Sequence, residues 1–238
     1  MKKSLYIFII HALICMASYA QTNSEIGKVT WGIKAGINSF DLYGKEIDYI
    51  FADDKTTAEQ GFNIGAFANT RLGKYFGLNH EIEFNQRNTG VQLTDAVNGD
   101  YASKLKRQYI DLVPVNLTFH FYGLQIYAGP YLSALLNANV NRKDDDGNYF
   151  KDKSIFGDPA NDESESLYLQ KFDFGINTGI EYQFGTGLSV GARYIHGFTD
   201  LFQYANSYGN EDTKNNNIKI YNKGLMVSLG YAFNKKMK

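Results

Sequence analysis

The stretch FDFGINTGIEYQF (172–184), followed by GTG (185–187) and LSVGARY (188–194), reads as two strands and the turn between them. In the first strand Phe172, Phe174, Ile176, Ile180, Tyr182 and Phe184 alternate with Asp173, Gly175, Asn177, Gly179, Glu181 and Gln183. In the second, Leu188, Val190, Ala192 and Tyr194 alternate with Ser189, Gly191 and Arg193. A period of two places all the apolar groups on one face of a strand and all the polar or small groups on the other. Gly185 and Gly187 supply the freedom that a tight hairpin turn needs.

Working outward, the same alternation returns in Trp31–Asn38, Phe62–Asn69, Phe76–Asn85, Tyr109–Phe121, Leu124–Leu132 and Leu225–Phe233. In the fourth of the eight runs, Tyr109, Val113, Val115, Leu117, Phe119 and Phe121 are read on the apolar face, against Pro114, Asn116, Thr118 and His120. About eight strands result, each near the ten residues a tilted strand needs to cross a bilayer. Tight turns at Leu72-Gly73-Lys74, Tyr122-Gly123 and 185–187 alternate with long polar links near 41–60, 86–108, 137–170 and 199–222. This spacing predicts an all-β fold: an eight-stranded antiparallel up-and-down transmembrane β-barrel, with strands that can extend above it. Trp31, Tyr75, Phe76, Phe121, Tyr122, Phe184, Tyr231 and Phe233 cluster by the short turns, where a periplasmic aromatic girdle belongs. A soluble barrel or sandwich shows the same alternation with its apolar face inward. The glycine- and asparagine-rich polar face suits a narrow lumen better than an open hydrated surface, which favours the membrane form.

Composition points the same way. Among 238 residues there are 23 Gly, 18 Tyr and 17 Phe but only 3 Pro. The net charge of −1 provides no basic field for nucleic acid. A mean hydropathy of −0.34 leaves no room for several apolar helices. Residues 1–20 read as a cleaved signal peptide: Lys2 and Lys3, an apolar run from Leu5 to Ala17, then Ser18-Tyr19-Ala20. Domain 21–238 would then be the barrel. Cys15 lies in the leader, so the mature chain would hold no cysteine, and its charge would be 22 cations against 25 acids.

The run Tyr109 to Leu117 (YIDLVPVNL) and Tyr127 to Tyr131 (YAGPY) resemble a core motif of the PorT-like outer-membrane β-barrel family of Bacteroidota. FDFG at 172–175, Gly179 to Tyr182, Gly191 to Tyr194 with Gly197, and Leu229 to Phe233 extend the similarity over roughly Trp31 to Phe233. The resemblance implies a location in the outer membrane for this OmpA/OmpX-like barrel, and pairing of the first strand with the last is expected to put both termini in the periplasm and the long loops extracellular. For some relatives it implies a porin-like transport or secretion-accessory role. It names no activity, because the family is defined by its barrel.

An eight-stranded barrel is just wide enough for side chains to fill. Parity sends Lys34, Arg71, Glu81, Glu83, Glu181 and Arg193 inward beside Asn116 and Gln125. Buried charges must pair, so Arg193 and Lys34 are expected to form a network with the glutamates. A gated ion path along those charges is the sharper alternative.

The search for chemistry gives little. His196 is the best candidate for a surface lipid A-modifying enzyme, yet Gly197-Phe198-Thr199 follows it without the expected serine; His80 and His120 fall on different faces. Asp144-Asp145-Asp146-Gly147-Asn148 suggests a calcium loop, but Arg142 and Lys153 occupy positions that ligands would take, and a solvated acidic loop accounts for it better than a weak divalent-cation site. No catalytic residue, metal ligand or cofactor is assigned. Tyr43, Tyr49, Phe51, Tyr101, Tyr149, Phe150, Phe156, Phe202, Tyr204 and Tyr208 fall in the long links, either as a recognition surface or as packing that caps the barrel. The expected function is a non-enzymatic structural or interaction role through those loops. The expected partners are outer-membrane lipid and other surface or secretion proteins.

Overall fold

Alternating β-branched, aromatic and small residues form long strands here because each can give one face to hydrocarbon and the other to a narrow interior. The computed structural model describes residues 26–44, 47, 51, 56–153, 169–202 and 219–233. The expected leader at 1–20 lies outside the described residues, as do Tyr49, Phe156, Tyr204 and Tyr208.

The strands are β1 (Val29–Gly44), β2 (Thr56–Arg71), β3 (Phe76–Asp95), β4 (Gly99–Phe121), β5 (Leu124–Lys143), β6 (Tyr149–Asp152), β7 (Phe172–Gln183), β8 (Leu188–Gly197) and β9 (Ile220–Ala232). Eight of them close a ring in the order β1-β2-β3-β4-β5-β7-β8-β9, with β9 paired back to β1 and every pairing antiparallel. The short β6 pairs with the far end of β5. Closure leaves the ring no free edge, which is the condition for β-structure to stand in hydrocarbon.

The apolar face points outward. Ile37, Ile64, Ile82, Leu117, Ile126, Phe174, Val227 and Leu229 are all exposed, Leu229 at 67%, while Lys34, Glu83, Asn116 and Arg193 are buried inside. At the short-turn rim the turn Tyr122-Gly123 has both residues at positive φ (47° and 86°), which matches the twist of a two-residue hairpin.

Three features differ from the sequence reading. First, the segment 86–108 is a hairpin, not a loop: β3 runs to Asp95 and β4 starts at Gly99. The strands similarly extend into the 41–60 and 137–170 links. Second, Tyr109 and Val113 face the lumen, at 0% and 2% exposure, not the lipid. The ladder is interrupted between Leu112 and Leu117 on the β5 side and opposite His80 on the β3 side. Pro114 sits in that bulge, where its missing N–H breaks no ladder bond, and the extra residue flips the parity of the strand. His80, on the lipid face, shares a hydrogen bond with the Pro114 carbonyl that the bulge would leave bare. Third, polarity inverts along the barrel axis. Beyond Arg87 the interior becomes apolar, with Leu42, Phe51, Val91, Leu105, Tyr109, Leu135, Ala138, Val140, Leu169, Leu201, Phe202 and Ile220 in one buried cluster. β3 continues eleven residues past Phe84, so this head rises about 28 Å above the lipid-facing belt at the usual rise and tilt.

Candidate functional site

The lumen is built in layers, and the lowest charged layer contains most of the residues singled out from sequence. Lys34 on β1 and Arg193 on β8 reach across to Glu81 and Glu83 on β3. The Lys34–Glu83 and Arg193–Glu83 contacts are 2.7 and 3.3 Å, and both cations also bind Glu81. Tyr127 of β5 supports Arg193 through its hydroxyl (3.3 Å) and lies with its ring 5.6 Å from the guanidinium. Glycines on the inner face make room for these long side chains. A Cβ at Gly32 would collide with the Phe67 ring and the Tyr231 carbonyl.

Glu181 is half-buried and lines a small cavity with Lys34, Arg193, Tyr127 and Ser228, without an ion pair of its own among the described residues. Arg71 stands apart: it donates to the Lys74 carbonyl at the short-turn rim (3.4 Å) and does not reach the glutamates. Gln125 and Asn116 are buried as parity required. A chain of amides also crosses the interior, Asn177 to Asn116 (3.0 Å), Asn116 to Asn79 (3.3 Å) and Asn79 to Asn69 (2.7 Å), with Asn79 on the short-turn side of Glu81 along β3.

A second charged layer closes the top. Arg87 is fully buried and donates to Asp111 (2.8 Å), Asp173 (2.9 Å) and Ser133 (2.7 Å). Its guanidinium also lies 4.8, 4.4 and 5.7 Å from the rings of Phe40, Tyr109 and Tyr131. Asp173 additionally accepts from Tyr131 (3.1 Å) and Asn222 (3.0 Å), and Asn222 in turn accepts from the buried Arg107, which also donates to Thr89 (2.8 Å). One hub thus braces β3, β4, β5, β7 and β9. Sequence alone does not mark Arg87, Arg107, Asp111 and Asn222 as lumen groups, since the polar stretches 86–108 and 199–222, which hold Arg87, Arg107 and Asn222, read as links. The signal was available: Asn85, Arg87, Thr89, Val91 and Leu93 keep a period of two without a break. The motif residues Tyr109, Asp111 and Tyr131 all grip Arg87, so the stretch that carried the family resemblance builds the lumen.

Two charged layers, the amide chain and the apolar cluster above fill the barrel. The arrangement can brace the wall and block passage. His196 lies on the outer surface, stacked on Tyr43 (4.8 Å between centroids), with its Nε2 2.9 Å from the Tyr43 hydroxyl. Neither serine nor carboxylate is bonded to its ring among the described residues. Asp144 accepts from the backbone of Asp146 (3.1 Å) and Asn148 (2.8 Å), forming the turn between β5 and β6, while Arg142 pairs with Asp152.

The expected girdle is exposed throughout, from Tyr75 (42%) to Tyr122 (89%), with Phe121–Tyr122, Tyr182–Phe184 and Tyr231–Phe233 packed edge to face. Of the link aromatics, Phe51, Tyr101 and Phe202 are buried in the head, whereas Tyr149 and Phe150 are exposed.

A family model described as "Outer membrane protein beta-barrel domain" matches residues 19–203. Among solved structures, the chain is similar to Ail, the attachment invasion locus protein of Yersinia pestis, in complex with the heparin analogue sucrose octasulfate. That match has 11% identity, covers 87% of this chain and 99% of that chain, and has a TM-score of 0.43. Neisserial surface protein A matches at 10% identity, 87% and 99% coverage and a TM-score of 0.44. OprG from Pseudomonas aeruginosa matches at 12% identity, 87% and 97% coverage and a TM-score of 0.42. No curated protein sequence matches the chain.

Proposed function

The chain belongs to the outer membrane protein beta-barrel domain family, and from that membership we propose that it is a closed, non-enzymatic barrel acting as a structural and interaction protein. In this reading the short-turn rim and both termini face the periplasm, and the head formed by the extended strands stands outside the cell. The observation that carries it is the filled lumen: Lys34, Arg193, Glu81 and Glu83 form one plug, Arg87, Asp111 and Asp173 a second, and an apolar cluster seals the outer end. Charges this deeply buried stay only where they are paired, so the pairs hold their side chains across the bore. Planar-bilayer recording tests this. The purified barrel gives no steady current, and a steady, large conductance refutes the closed lumen.

A transport or secretion-accessory role is the second reading, favoured by the PorT-like resemblance of residues 109–117 and 127–131. Loss of secreted cargo in a deletion strain would support it over the first.

A further inference from the structure

The head is electrically bipolar. Its far tip carries five carboxylates, Asp95 and Asp100 from the β3–β4 hairpin and Asp144, Asp145 and Asp146 from the β5–β6 turn. Against them stand Lys143, over the Tyr101 and Tyr149 rings, and Arg142, which Asp152 pairs. Asn98 ties the two tips together by donating to the Asp144 carbonyl (3.1 Å). Between this acidic tip and the lipid belt lie Lys104 and Lys106 on β4, Lys151 on β6 and Lys171 just before β7, with Lys151 and Lys171 exposed. Lys106 shares the outward face of β4 with Gln108 and with its cross-strand neighbours Asn137 and Asn139. Asn137 donates to Gln108 at 3.5 Å.

Charge matching separates this sector from the rest of the rim. Lys223, on the β1–β9 side, is balanced by Asp41 (3.5 Å), and Lys104, at the sector's edge, by Glu59 (2.7 Å). Lys106, Lys151 and Lys171 have no carboxylate partner among the described residues. Their position is also set by the belt. Lys171 directly precedes the lipid-exposed Phe172, and Lys106 follows four residues beyond Ile110 on the same face. Lysine stems of this kind run along apolar surface and hold the ammonium at the headgroup level. An anionic surface at that height attracts the lysines and repels the aspartates, which the fold holds farther away.

We propose that this cationic collar seats the head on the phosphate groups of anionic lipids in the leaflet that surrounds the long-strand rim. The inference rests on the orientation proposed above. It adds a lipid partner class to a barrel whose lipid contact is otherwise apolar.

The test uses the full chain refolded in detergent micelles, with folding checked by heat-modifiable migration. Binding of bisphosphorylated lipid A is compared with that of its dephosphorylated form, for the wild type, for Lys106→Gln/Lys171→Gln, and for Lys28→Gln at the opposite rim. The collar predicts that the double variant binds about 30-fold more weakly, two lysines each acting near a charged surface. Removal of the phosphates abolishes the difference, and Lys28→Gln behaves as wild type. Equal binding by wild type and double variant overturns the proposal. Displacement by soluble hexametaphosphate at equal phosphate concentration also overturns it, by assigning the collar to free polyanions. Orientation is read separately, by labelling Val97→Cys on intact cells with an impermeant maleimide. Labelling with unchanged lipid binding refutes the collar alone, and phosphate-dependent binding without labelling refutes the orientation alone.

Discussion

Arg87→Met is the substitution whose effect follows most directly from the layered lumen. Methionine has a similar reach but leaves Asp111 and Asp173, both nearly fully buried, without their shared cation. Asp111 keeps one donor from Asn85 (2.7 Å), and Asp173 keeps Tyr131 and Asn222. Removing one side of a buried ion pair typically costs about 3–5 kcal/mol, mostly from the stranded charge and not from the lost attraction. The three rings around the guanidinium lose a further, smaller contact. Equilibrium unfolding in denaturant, with the barrel in lipid vesicles, reads the loss directly. The triple variant Arg87→Met/Asp111→Asn/Asp173→Asn removes the whole charge set, and replacing a complete buried set is often near neutral, so it recovers to within about 2 kcal/mol of wild type. Lys104→Gln, which breaks the half-exposed pair with Glu59, costs no more than about 1 kcal/mol. If Arg87→Met loses under about 1 kcal/mol, or the triple variant is no more stable than the single, Arg87 is not the brace described.

Further outcomes follow from the same structure. Gly32→Val forces a side chain against the Phe67 ring and the Tyr231 carbonyl, and lowers stability in the same unfolding assay by about 1–3 kcal/mol. His80→Ala leaves the Pro114 carbonyl without its side-chain partner on the lipid face, at a cost of about 1–3 kcal/mol measured in vesicles. At the head's tip, the backbone and side chain of Asn98 and the backbone N–H of Val97 donate to Asp95 and hold its carboxyl below the ordinary 3.8. A depressed folded-state value means the contribution is present above the unfolded pKa and lost as pH falls through the folded one. The tip therefore loosens only in acid, and Asn98→Ala moves the Asp95 titration upward when followed by carboxyl-carbon NMR.

Much of this molecule is legible from its chain because period two, short glycine turns and rim aromatics each have one physical reading in a membrane barrel. Lys34, Glu81, Glu83 and Arg193 could be placed together by parity alone, since the narrow bore leaves charges nowhere else to go. Parity failed at Pro114, where one extra residue turned Tyr109 and Val113 into the lumen; a proline within a strand run was the available warning. The Arg87 hub escaped because residues 86–108 are too polar on their outward face to look membrane-spanning. They are strand nonetheless, with the polarity reversed: apolar inside and hydrated outside, as in a soluble barrel. A pattern tuned to lipid contact stops reporting strands at the height where the lipid ends. Glu181 and Arg71 show the converse limit, since sharing a face with the network did not bring either into an ion pair.

The central claim, that apolar side chains meet acyl chains while the ions are enclosed, can be tested at one residue. Trp31 is the only tryptophan in the chain and lies on the outward face at the short-turn rim. In vesicles, lipids brominated near the headgroup end of the acyl chain should quench its fluorescence strongly, and aqueous iodide should barely affect it. Quenching by iodide with no response to brominated lipid would mean that this face is hydrated, and the account would be wrong.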